Sequence, residues 1–128
     1  MERRLCRTRL GHVHCVLAGT AAGAADAAAP APLVLLHQTP RSVDEFAEAI
    51  PLLARECRVV AIDTPGYGCS DRVPGEPTIE AYAGAVLDAF DALGIESFVP
   101  VGHHTGATIA FALAAAAPAR VERAVISG

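Results

Sequence analysis

The sequence predicts an α/β protein: a mostly parallel sheet with helices on both faces, opened by an antiparallel hairpin. Three observations carry this. Short continuous apolar runs recur at Leu33–Leu36, at Val59–Ile62 and over residues 98–101, each the length of a strand buried on both faces. Segments of helical period lie between and after them. Residues 5–17, by contrast, alternate around a glycine, which is the pattern of a hairpin. Strands alternating with helices build a parallel sheet, and its crossovers are right-handed.

Taken in order, Leu5, Arg7 and Arg9 alternate with Cys6 and Thr8, and Val13, Cys15 and Leu17 alternate with His14 and Val16, with the turn at Leu10-Gly11. Residues 19–32 are rich in Ala, Gly and Pro without periodicity, and read as a flexible surface loop. After the first apolar run, Ser42 is a candidate N-cap with Glu45 three residues on, a capping-box arrangement. Phe46, Ala49, Ile50 and Leu53 continue at helical spacing, with Pro51 set to kink or shorten the helix. Residues 63–77 carry three glycines and three prolines and read as a long structured loop. Thr78 opens the next helix, whose apolar face is Tyr82, Val86, Leu87, Phe90 and Leu93, with Gly94 placed as its C-cap. Residues 104–117 form a small-residue helix stopped by Pro118, and residues 121–126 begin a last strand.

Composition narrows the function classes. The chain has 128 residues, a formal charge of −4 and 52% hydrophobic content. This is one domain's worth of chain with ample apolar matter for a core. All the basic residues are arginines, but no basic cluster forms, so nucleic acid is not expected as a partner. No apolar run reaches the ~18–20 residues of a membrane span, nor the properly apolar core of a secretory signal. The expectation is a cytoplasmic protein without a membrane partner. Four scattered cysteines without a C-x-x-C pair are expected to be reduced thiols rather than zinc ligands.

Sites in open α/β sheets form beyond the carboxyl ends of the strands. Three segments sit there: His37-Gln38-Thr39-Pro40, Asp63-Thr64-Pro65-Gly66-Tyr67-Gly68, and Gly102-His103-His104-Thr105-Gly106. In the third, a strand, G-x-x-x-G and a helix make the frame of a tight corner that throws its central side chain out above the sheet. Asp63 reads as shaping its loop. His37 reads as a hydrogen-bonding residue at a strand end rather than an acid or base. No metal is assigned to His103 and His104, because adjacent residues at such a corner point in different directions.

These stretches resemble the N-terminal part of the α/β-hydrolase superfamily, particularly its esterase, epoxide-hydrolase and C–C-hydrolase-like members. Their strand ending in H-G-x-P, their D-x-P-G-x-G-x-S-D loop and their G-H-S-x-G turn are matched by residues 33–40, 63–71 and 101–106. The resemblance implies a mostly parallel α/β-hydrolase sheet with an N-terminal antiparallel hairpin. It further implies that His104 stands at the nucleophile position, where the family carries serine. The backbone N–H groups of Thr39 and Thr105 would form an oxyanion hole, in which one missing donor costs about 3–4 kcal/mol. His37, Gln38 and His103 would line the substrate side, and no cofactor is implied.

Without a hydroxyl, the serine route is closed. His104 could attack an activated ester directly, act as a general base without a covalent step, or stand in a catalytically silent ligand-binding member of the fold. The electropositive start of a helix favours the neutral ring that the first two readings need. The substrate would be a small ester, amide or ketone. Family members continue with a cap and further strands, where the triad acid and histidine lie. Residues 1–128 are therefore expected to be the N-terminal part of a single α/β-hydrolase domain, truncated after the sixth strand and inactive by itself. The last strand would be an unpaired apolar edge, which a homodimer would cover.

Overall fold

In the computed structural model, which describes residues 1–19 and 30–128, the three apolar runs form neighbouring parallel strands. These are β3 (Leu33–Leu36), β4 (Val59–Ile62) and β5 (Val99–His103). β3 lies between the other two, with Leu36 opposite Ile62 on one side and Gly102 on the other. The hairpin of β1 (Glu2–Thr8) and β2 (Gly11–Ala18) adds to β4 antiparallel, and β6 (Val125–Ser127) adds to β5 parallel. The order across the sheet is β1-β2-β4-β3-β5-β6.

Side chains of successive strand residues point to opposite faces, and so each buried strand feeds two cores. Val34, Leu36, Val60 and Ile62 pack with Phe90, Ile109 and Leu113. Leu35, Val59 and Ala61 pack with Val43 and Ile50 on the other side. Helices α2 (Ile79–Leu93) and α3 (Thr105–Ala116) thus cover one face, and α1 (Ala49–Leu53) covers the other. α2 is bounded as its sequence predicts. The Thr78 hydroxyl accepts from the Ala81 N–H at 3.1 Å, and Gly94 closes the helix in the left-handed region at φ 71°.

Three expectations need correction. The helix over 42–53 is broken into a 3-10 turn, Val43–Phe46, and the short α1. Ser42 does cap the turn, accepting from the Asp44 N–H at 3.2 Å, but Glu45 does not reach back to it, because its carboxylate is engaged elsewhere. Pro51 sits in the first turn of α1, where its missing N–H has no intrahelical partner to lose. The hairpin turns at Arg9-Leu10, one residue earlier than its glycine suggested, and Gly11 opens β2. The last strand starts at Val125 rather than 121, after a 3-10 turn at Pro118–Arg120 and a lone bridge from Val121 to Phe98. The loop expected over 19–32 falls mostly on residues outside those described.

β6 forms the outer edge of the sheet, with Val125 50% and Ile126 42% exposed. No helix among the described residues is long and apolar enough to cross a membrane.

One ion pair ties the hairpin to α2. Arg9 grips Asp88 with two guanidinium N–H groups and its own backbone N–H, each at 2.9 Å. The Arg9 side chain beside it holds the Asp88 carboxyl below its ordinary value. A carboxylate with a depressed folded pKa stabilises the fold above its unfolded pKa of about 4, and that contribution is lost as pH falls through the folded value. Asp88→Asn should therefore lower the thermal midpoint at pH 7, and the gap to the parent protein should close in acid below about pH 4. Melting curves across that range provide the check.

Candidate functional site

Because β3, β4 and β5 are neighbours in register, the chain leaving each of them arrives at one edge of the sheet. Segments 37–40, 63–71 and 103–106 meet there.

The corner between β5 and α3 turns on a single residue. His104 takes φ 58° and ψ −114°, and it is the one non-glycine residue at positive φ among those described. A conformation of this kind costs about 1–3 kcal/mol and persists where its surroundings over-determine it. The surroundings here are backbone. A Cβ built on Gly102 would lie 2.3 Å from the Gly106 carbonyl oxygen, and one built on Gly106 would lie 2.0 Å from that of Leu36. Neither position has room for a side chain, which explains the G-x-x-x-G spacing. The exposed His104 side chain makes no capping bond to α3. Thr105 is the first residue of α3, so its N–H has no acceptor within the helix.

Three carboxylates pin the surrounding loops. Glu45 Oε2 accepts from the Gln38 N–H at 2.8 Å, and Oε1 accepts from His103 Nδ1. One side chain on the 3-10 turn thus joins the loop after β3 to the corner after β5. Asp63, 1% exposed, accepts from Val43 N–H at 2.8 Å, Cys69 N–H at 2.9 Å and His14 Nδ1 at 2.8 Å. It shapes its loop, as read from the sequence. Asp71 ends that loop on β2 by accepting from the His12 N–H at 2.7 Å. That backbone bond, followed by the His12 side chain, holds its carboxyl below the ordinary range.

His37 is 1% exposed. The Thr64 N–H donates to its Nε2 at 3.1 Å, so the ring proton sits on Nδ1 and donates to the Gln38 carbonyl at 2.8 Å. Both nitrogens therefore hold the loop together. Gln38 is half-buried, while Thr39 and His104 are exposed at the edge and Thr105 is partly covered.

Sequence reasoning missed Glu45 as a site residue. Its place three residues after Ser42 disguised it as a helix-start residue, and no spacing rule links it to His103. It also missed one group with metal-ligand chemistry, His14, Asp63 and Cys69, whose donor atoms lie within 4.8 Å of one another. That group is already occupied from within. Asp63 takes three hydrogen bonds, and the Arg3 guanidinium reaches His14 Nε2 at 3.3 Å.

Over residues 31–128 the chain matches the alpha/beta hydrolase fold family. The chain belongs to this family. It is similar to fluoroacetate dehalogenase of Burkholderia sp, 36% identical over 110 residues, covering 82% of this chain and 33% of that protein. It is also similar to 2-hydroxymuconate semialdehyde hydrolase of Pseudomonas sp. (strain CF600), 33% identical over 117 residues, 88% of this chain and 41% of the other. The solved structure of the epoxide hydrolase CorEH without ligand superposes with a TM-score of 0.85 at 30% identity, over 98% of this chain and 41% of that one. The chain thus spans about a third to two-fifths of the length of these relatives.

The glycine contact provides a direct test. Gly106→Ala should destabilise the protein by about 3 kcal/mol or more, above ordinary overpacking, because the obstacle is backbone. Gly75→Ala serves as reference: a Cβ there meets nothing within 4 Å at φ 73°, leaving a conformational cost of about 1–2 kcal/mol. Urea unfolding midpoints of the two variants compare the terms.

Proposed function

We propose that the chain carries the nucleophile elbow of a hydrolase acting on a small ester, amide or ketone-type substrate, with His104 at the elbow as nucleophile or general base. The observation that supports this most is the strained, outward-turned His104 on a corner where only backbone and glycine fit. Strain of this kind is kept where a side chain must be held at one place. The Thr39 and Thr105 amides serve as oxyanion donors, aimed at the charge that develops on a carbonyl oxygen. Gln38 and His103 flank a small-molecule substrate, with His37 behind them as the support of the loop. The fluoroacetate dehalogenase, the 2-hydroxymuconate semialdehyde hydrolase and the epoxide hydrolase among the similar proteins support a hydrolase reading.

A second reading is a catalytically silent, ligand-binding member, favoured by the absence of a hydroxyl at the corner. Turnover of a panel of activated esters by the full-length protein separates the two. On the hydrolase reading, His104→Ala lowers kcat/KM by about 10²-fold or more with the fold intact. Equal activity of parent and variant would remove His104 from the chemistry. Saturable ligand binding without turnover in either protein would favour the silent member.

A further inference from the structure

We propose that Glu45 is the positioning residue of the oxyanion hole, one carboxylate that sets both segments from which the donors come; the inference rests on the hydrolase reading above. The two donor amides belong to distant parts of the chain. Thr39 lies in the loop after β3, and Thr105 opens α3. Glu45 Oε2 accepts from the N–H of Gln38, the residue before Thr39, at 2.8 Å. Its Oε1 accepts from Nδ1 of His103, two residues before Thr105. Among the described residues it is the one side chain that bonds to both segments.

The peptide between Gln38 and Thr39 is held from its other side as well. The Gln38 carbonyl accepts from His37 Nδ1 at 2.8 Å and from the Arg41 N–H at 2.8 Å. A trans peptide unit is planar, and its N–H and C=O point in opposite directions. Fixing the carbonyl therefore fixes the Thr39 N–H, which is turned away from the His37 ring and has no acceptor among the described residues. His37 and Arg41 set the direction of this donor, and Glu45 sets its place relative to the corner. Both are needed, because donors stabilise an oxyanion when they are aimed at it before the charge appears.

Glu45 is itself firmly mounted. It stands on the 3-10 turn Val43–Phe46, whose Val43 N–H donates to Asp63 Oδ1 at 2.8 Å and whose start Ser42 caps. Its side chain is 11% exposed, so water competes little for the two bonds. Without it, the loop after β3 has no side-chain tie to the corner, and the two amides no longer converge on one oxygen. That oxygen carries its charge only in the transition state, so the loss falls on kcat rather than on KM.

Steady-state kinetics of the full-length protein with an activated ester test this. Glu45→Ala should lower kcat by about 10- to 10²-fold, with KM nearly unchanged and a melting curve that stays cooperative. Affinity for a phosphonate monoester, which mimics the tetrahedral anion, should fall by the same factor as kcat. Glu45→Gln keeps an oxygen for the Gln38 N–H and should recover most of the loss. His103→Ala should lose part of kcat, and adding it to Glu45→Ala should lower kcat no further, since both act through one tie. Should Glu45→Ala not fold, a parallel fall of kcat and phosphonate affinity in His103→Ala carries the test. A kcat within twofold of the parent in both single variants, a loss confined to KM, or a Glu45→Gln as impaired as Glu45→Ala would overturn this inference and leave the hydrolase reading standing. A parent protein that turns over no ester of the panel would overturn both.

Discussion

The backbone of α3 rests directly on the backbone of β3, with no side chain between them, and the geometry of the sheet edge depends on this contact. Gly106 lies against the carbonyls of Leu36 and His37, and Gly102 lies against Gly106 and Ala107. At such distances the helix has to start within one residue of the end of β5. That residue, His104, is driven to positive φ. Its exposure and its direction are thus consequences of two glycines that do no chemistry themselves. The same contact brings the loop after β3 beside the corner, because Leu36 and Gly102 are register partners.

Close backbone packing sets distances, and buried carboxylates set orientations. Asp63 draws the 3-10 turn, the loop after β4 and β2 toward one point. Glu45 draws the loop after β3 toward the corner. Carboxylate oxygens accept from N–H donors, so each imidazole that touches one is turned with Nδ1 toward it. His14 and His103 are both fixed this way, and His37 reaches the same tautomer through the Thr64 amide. His104 is the one histidine at this edge held by backbone strain alone.

Much of this was legible in the sequence because the rules involved are local. Thr78 and Gly94 bound a helix through hydrogen bonds within four residues, and apolar runs of four residues mark strands wherever they occur. The spacing of Gly102 and Gly106 reads as a corner because the steric reason for it acts at short range. Glu45 shows where local rules stop. By spacing it belongs to Ser42, yet its partners are Gln38 and His103, and a bond across 58 residues leaves no trace in periodicity. The broken helix over 42–53 has the same origin: the residue that would have closed the capping box is spent on the sheet edge. The cluster of His14, Asp63 and Cys69 is likewise a product of the β2–β4 pairing, which no spacing announces.

Histidine in place of serine also changes what the rest of a hydrolytic site must do. A serine hydroxyl is a poor nucleophile until a base takes its proton, so the base has to act before the first bond forms. A neutral imidazole already presents a lone pair, and the first step needs no base. The demand moves to the second step, in which water must lose a proton beside an acyl carbon bound to the corner residue. A base suited to that step has to lie next to the nucleophile and have its tautomer fixed in advance.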